Sequence, residues 1–221
     1  MMRIATGGFI LAVLGSLCAL ALPRGLADLR AFEARMLFRS WETARRNPSA
    51  DELEQTVSRL QEAHALDPGQ PNYLEDIARL DELRALPLEP GDASAREYLL
   101  HALGYERLAV RLRPGSPYTW TNVAVLKSRL SETDREFEAA LRNAALLGPW
   151  EPEVQITLAD IGFRHWNALT PETQAALRTN MARALHWQST RLFELARRAR
   201  RLDVLFATLG VARYPLARAC I

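Results

Sequence analysis

Three stretches of this chain repeat one another without gaps, and that self-similarity limits the folds open to it more than any other feature. The first reads Ala63-His-Ala-Leu66-Asp-Pro68-Gly-Gln-Pro71 and goes on to Ile77-Ala78 and Leu80. The second reads Ala109-Val-Arg-Leu112-Arg-Pro114-Gly-Ser-Pro117, then Val123-Ala124 and Leu126. The third reads Ala144-Ala-Leu-Leu147-Gly-Pro149-Trp-Glu-Pro152, then Leu158-Ala159 and Ile161. Proline cannot continue a helix, so the first Pro of each copy ends one. The second Pro falls where the next helix begins, a first-turn position that tolerates a missing N–H. The recurring small Ala residues let two helices approach closely. Each unit therefore reads as a helix, a tight turn and an antiparallel helix.

The spacing is 46 residues from Pro68 to Pro114 and 35 from Pro114 to Pro149. The second value is close to the period of about 34 expected of tetratricopeptide repeats. The columns resemble that family too. Trp120, Val123 and Ala124 take its large, apolar and small positions, and Ala109 and Ala144 take the small position before the closing Pro. Phe137 and Gly162 depart from it, standing where a small and an aromatic residue are usual. The extra length of the first spacing is assigned to a Pro/Gly loop, Leu86-Pro-Leu-Glu-Pro-Gly-Asp-Ala-Ser94. Residues 47–210 are expected to be at least nine-tenths helical, with Trp120 buried between helices.

Beyond Pro152 the pattern predicts a helix from Glu153 to about Leu169, then a second begun by Thr170 as cap with Pro171 in its first turn. That helix is expected to stop near His186 or Trp187, with another over Ser189 to Arg201 and a short turn from Asp203 to Gly210. The run Arg197-Arg198-Ala-Arg200-Arg201 reads as the polar outer face of a terminal repeat or as a patch for phosphate or lipid headgroups.

An uncharged stretch runs from Ile4 to Leu22, nineteen residues ending at Pro23-Arg24. As a helix it just reaches across a hydrocarbon core of roughly 30 Å. A membrane anchor, a signal peptide cleaved near Ala19-Leu20-Ala21, and a buried soluble helix all fit it. The anchor is preferred, because Gly7, Gly8 and Gly15 weaken a soluble helix. The flanking arginines favour a cytoplasmic body, whereas an apolar run acting as an export signal favours a periplasmic one. The expected location is the inner membrane, single pass, with the body in the periplasm. Residues 25–46 carry Leu26, Leu29, Phe32, Met36, Leu37 and Trp41 at helical spacing. This stripe is expected to pack on the first repeat, with the bilayer surface or a partner helix as the alternatives.

The assignment is thus an all-α chain: an N-terminal transmembrane helix followed by a tetratricopeptide-like α-solenoid of antiparallel helix pairs. The divisions are 1–23 anchor or signal segment, 24–46 amphipathic stalk and 47–221 repeat domain. Net charge is only +2, but its distribution is uneven: +4 over residues 1–50, −8 over 51–100, zero over 101–182 and +6 over 183–221. The unevenness reads as solvated helix faces, or as a dipole along an elongated fold that orients partners. Nothing in it points to nucleic acid.

No phosphate loop, GxGxxG, HExxH or GxSxG motif occurs, and neither a cofactor, a metal site nor a catalytic residue is expected. The histidines (His64, His101, His165 and His186) stand far apart. Cys18 and Cys220 form no framework. Trp150, inside the turn from Pro149 to Pro152, is the candidate for stacking on a carbohydrate. With Arg197, Arg198, Arg200 and Arg201 it completes the candidate interaction residues.

Leu112-Arg-Pro-Gly-Ser-Pro-Tyr-Thr-Trp120, Asp134-Arg-Glu-Phe137, Leu147-Gly-Pro-Trp-Glu-Pro-Glu-Val-Gln155 and Trp166 resemble the VpsP-type polysaccharide biosynthesis proteins. The Leu-Gly-Pro-Trp-Glu-Pro element also resembles repeat tails of O-antigen ligase relatives. These motifs are structural, so the resemblance implies a pathway and not a reaction. It implies a membrane-anchored scaffold for exopolysaccharide assembly or export that holds other assembly proteins. The alternative is a glycan-binding accessory module of the same pathway.

Overall fold

The computed structural model describes residues 2–44, 46–89 and 91–208; the side chains of residues 2–13 and of Glu42 fall outside that description. Among the described residues there is no strand. The helices are α1 (Met2–Ala44), α2 (Ala50–Leu66), α3 (Pro71–Ala85), α4 (Ala93–Leu112), α5 (Pro117–Arg129), α6 (Arg135–Leu147), α7 (Pro152–His165), α8 (Pro171–Arg198) and α9 (Leu202–Thr208), with a 3₁₀ turn at Trp166–Ala168. Sequential helices pack in pairs, α1 with α2, α3 with α4, α5 with α6 and α7 with α8, and α9 closes against α8.

The prolines set the helix starts. Pro71, Pro117, Pro152 and Pro171 each occupy the first turn of their helix, where the absent N–H would lack an intrahelical partner anyway. Side-chain caps complete most starts. Ser49 and Glu52 form a reciprocal capping box at α2, and Thr170 accepts from the N–H of Thr173 at α8. The repeat columns also match in depth. Ala63, Ala109 and Ala144 are fully buried, as are Ala78, Ala124 and Ala159 and the third-column residues Leu80, Leu126 and Ile161. The Leu column behaves differently: Leu66, Leu112 and Leu147 are 39, 45 and 40% exposed. The first Ala of Ala-x-x-Leu enters the core in all three copies, where a small residue lets two helices approach, and the Leu does not.

Both departures from the repeat pattern are resolved by packing. Gly162 faces α8, and a Cβ there would lie 2.9 Å from Leu177 Cδ1, so α8 fills the space an aromatic ring would need. Phe137 is fully buried and meets the His165 ring edge-on at 5.4 Å. Trp120 is only half-buried, its indole N–H donating to the Pro114 carbonyl at 2.8 Å.

Several expectations need correction. α4 has 20 residues against 13 in α6, so seven of the eleven extra residues of the long repeat lengthen a helix; α3 and the following loop each add two. Leu99, Ala102 and Leu103 give that extension a buried face. Among the described residues of 47–208 the helical share falls short of nine-tenths, because the connections between the helices are not helical. The break expected near His186 or Trp187 is present: Gln188 has a non-helical backbone (φ −136°, ψ 37°) that divides Pro171–Arg198 into two helical stretches. Gly210 and Cys220 lie outside the described residues, and Cys18 is an exposed free thiol.

The membrane anchor is the largest correction. α1 runs unbroken through Pro23 and Arg24. Among the described residues no helix is long and apolar enough to cross a membrane. The transmembrane helix and the single-pass inner-membrane location with a periplasmic body are therefore not supported. The stripe expected to pack on the first repeat does so only at its C-terminal end, where Leu37 and Trp41 join the core; Leu26, Leu29, Phe32 and Met36 face the other way. Ala27, Ala31, Ala34, Phe38 and Trp41 are buried, while Leu26, Leu29, Phe32 and Met36 are about half exposed. Asp28 accepts from the Tyr73 hydroxyl at 2.8 Å and Arg35 binds Asp76 at 2.8 Å. These polar ties link α1 to α3 beside the Ala face, while the helix that α1 packs on most closely is α2.

Candidate functional site

A cavity of about 590 Å³ opens where α3, α4 and α5 meet. From α3 come Glu75, Asp76, Arg79 and Glu82; from α4, Glu106; from α5, Tyr118, Asn122 and Arg129. Three of its carboxylates are already held by arginines. Arg113 Nη2 lies 2.7 Å from both oxygens of Glu75, Arg35 lies 2.8 Å from Asp76, and Arg129 lies 2.9 Å from Glu82. Glu75 also accepts from the Thr119 hydroxyl, and the exposed Tyr118 donates to Glu151.

Glu106 differs from its neighbours. It is 1% exposed. Oε1 accepts from Asn122 Nδ2 at 3.0 Å, and Oε2 has no hydrogen-bond partner. Burial, reinforced by the negative charge of Glu75, pushes its carboxyl up to about 8. Burial also raises Asp76 and Glu82, with Arg35 and Arg129 opposing the shift. A larger cavity of about 810 Å³ lies between the start of α2 and the 86–92 loop. Leu53, Leu83, Leu86, Pro87 and Leu88 make much of its wall apolar.

The sequence held a signal for Glu106 that motif searching passed over. Three residues before the small Ala of each copy stand Leu60, Glu106 and Leu141. Leu60 and Leu141 are fully buried, so the column is a packing column and a carboxyl in it is out of place. No such signal marks Tyr118 or Asn122, whose role depends on the helices around them.

The candidate interaction residues named from sequence are not brought into this cavity. Trp150 is 69% exposed in the turn before α7, with the Arg183 guanidinium 5.5 Å above its ring. Trp187, one turn beyond Arg183 on α8, is also exposed, and Arg191 pairs with Glu153 at 3.1 Å. Arg197 and Arg198 are exposed in the last turn of α8. Arg200 is exposed with a left-handed backbone (φ 56°), and the partly buried Arg201 donates to Asn167 Oδ1 at 2.9 Å. The Arg run therefore divides between surface and helix-end packing. Among the described residues no cluster of His, Cys, Asp and Glu has the arrangement to hold a metal ion.

No protein-family model matches this chain, and no curated protein is similar to it. Among solved structures, a thermophilic TPR protein of Thermus thermophilus is similar with a TM-score of 0.55, at 20% identity over 90% of this chain and 95% of that one. At that identity the likeness shows the fold: an all-α, tetratricopeptide-like helical repeat.

Proposed function

We propose that this chain is a non-catalytic module that holds other proteins, with the cavity between α3 and α5 as the place where a partner docks. The observation that carries the reading is the cavity itself. Its lining combines hydrogen-bonding and charged groups from three helices, a wall suited to selecting a partner by a few polar contacts. The test is to purify the tagged full chain from its own cells beside a Tyr118→Ala, Asn122→Ala double variant. A partner recovered with the parent and lost with the variant is the expected result; equal recovery overturns the docking site.

The narrower assignment, a scaffold in exopolysaccharide assembly, rests on the Leu147-Gly-Pro-Trp150 element and its neighbours, not on the fold. Its support would be recovery of polysaccharide-assembly proteins in the same purification. A second reading, glycan binding, is favoured by one observation: Trp150 and Trp187 are both exposed, and Arg183 reaches from beside Trp187 onto the Trp150 ring. Quenching of tryptophan fluorescence by the host's polysaccharide, absent in Trp150→Ala, would support it.

A further inference from the structure

A buried packing column that carries Leu60 in the first copy and Leu141 in the third carries Glu106 in the second. The hydrophobic effect favours leucine there, and a carboxyl placed there costs free energy unless something binds it. The fold provides half of that. Asn122 satisfies Oε1 and nothing satisfies Oε2. Glu106 lines the same cavity as Glu75, Asp76 and Glu82, each of which is matched by an arginine of this chain. Of the four carboxyls lining the cavity, Glu106 is the one on which no arginine of this chain is seated; Arg79, which also lines the cavity, places its guanidinium over the Phe38 ring at 5.4 Å.

We propose that a basic side chain of a partner protein, a lysine or arginine, enters the cavity between α3 and α5 and pairs with the Glu106 carboxylate. The inference rests on the docking reading above and names the chemistry of what docks. It accounts for a polar residue in an apolar column, because the missing half of a buried ion pair is supplied only on binding. The wall fits such a guest. The half-exposed Tyr118 ring lines the cavity beside Leu83 and Leu86, where the methylenes of a long side chain would lie.

Binding of this kind takes up the ionised carboxylate, so it is linked to protons. The groups facing Glu106 are Glu75, Asp76, Arg79 and Glu82 on α3, Arg113 just past α4, and Tyr118, Asn122 and Arg129 on α5. Burial and the charges of Glu75 and Glu82 keep Glu106 protonated near neutrality, with Asn122 and Arg113 opposing them. A cation arriving below about pH 8 must displace that proton. Affinity is therefore expected to rise about tenfold per pH unit from 6 to 8 and to level off above.

The test titrates the full chain with the peptide acetyl-Ala-Ala-Lys-Ala-Ala-amide, its norleucine counterpart and free n-butylammonium, following the Asn122 side-chain amide by NMR. The lysine peptide is expected to shift that signal saturably with the stated pH dependence. Glu106→Gln, an isostere of the protonated acid, is expected to abolish the shift, as is Glu106→Leu, which restores the residue of the other copies. Thermal melts confirm that both variants fold. An equal response to norleucine, a response retained in Glu106→Gln, tighter binding of n-butylammonium than of the peptide, or no response at all overturns the inference. If Glu106→Gln keeps the partner recovered from cells while the peptide titration is silent, the docking reading stands and the cation inference falls.

Discussion

Replacing Glu106 with glutamine removes a proton equilibrium from the interior, and the sign of its effect on stability follows. The folded-state carboxyl sits near 8 and the unfolded one near 4.5, so between those values the native state binds more protons. Stability from this group then falls as pH rises from about 4.5 to 8 and is flat above. Glu106→Gln is expected to flatten that decline and to exceed the parent by about 2–4 kcal/mol at pH 8, less at pH 5. Urea unfolding at both pH values checks this; parallel curves would refute it. Lys127 is a buried charge of the opposite kind. Its ammonium is 2.7 Å from Asp134, 3.0 Å from Glu136 and 3.1 Å from Glu132. Burial alone would lower its pKa, and the three carboxylates together raise it. Lys127→Met leaves those acids facing one another across the α5–α6 turn and is expected to cost about 2–3 kcal/mol. A loss under about 0.5 kcal/mol would show that solvent already screens the cluster.

At the scale of one element, α1 presents two apolar faces and buries the one with smaller side chains. Its Ala27, Ala31 and Ala34 face lets backbones come close, and Phe38 and Trp41, 5.5 Å apart edge-to-face, close the far end. The opposite face leaves Leu22, Leu26, Leu29, Phe32 and Met36 largely uncovered. The orientation makes a sharp prediction. Ala31→Leu is expected to destabilise by about 1–3 kcal/mol through overpacking, while Leu29→Ser shifts stability by less than about 0.5 kcal/mol. Chemical denaturation of the two variants distinguishes the faces, and the reverse order would turn the helix over.

Across the whole molecule, ion pairs and caps stitch each helix pair to the next, and their protonation sets the acid limit of the fold. Glu138 of α6 accepts from the Thr170 N–H at 3.1 Å and the Thr173 hydroxyl at 2.6 Å, and so ties the start of α8 to α6. Burial opposes its ionisation, but those donors win and hold its pKa low. Arg107 and Lys127 hold Glu136 low, and Lys127 with the Phe137 N–H holds Asp134 low against burial. These are depressed carboxyls, so their stabilisation is present above about pH 4.5 and is lost as pH falls through their lower folded-state values. Melting temperature is expected to drop steeply below about pH 4 and less steeply in Glu138→Gln, as a thermal scan against pH would show. Equal slopes would assign the acid limit to other groups.

The parts legible in the sequence were those governed by local backbone chemistry. Prolines at 71, 117, 152 and 171 fix helix starts because they lack an N–H and have a preset φ. Thr170 caps because its hydroxyl reaches an orphan N–H. The Ala columns marked where helices touch, because only a small residue fits there. The tertiary structure alone decided the rest. Which apolar face of α1 turns inward depends on Tyr73 and Asp76, more than thirty residues away in the chain, and hydropathy ranked the Leu face first. The extra length of the long repeat became mostly helix because Leu99, Ala102 and Leu103 found a core to pack against. The anchor assigned to 1–23 was read from apolar length; among the described residues α1 buries side chains only from Ala27 onward, and no helix is long and apolar enough to cross a membrane. Glu106 was visible as an odd letter in a Leu column. What it faces, an amide on one oxygen and nothing on the other, exists only once α3, α4 and α5 have closed around it.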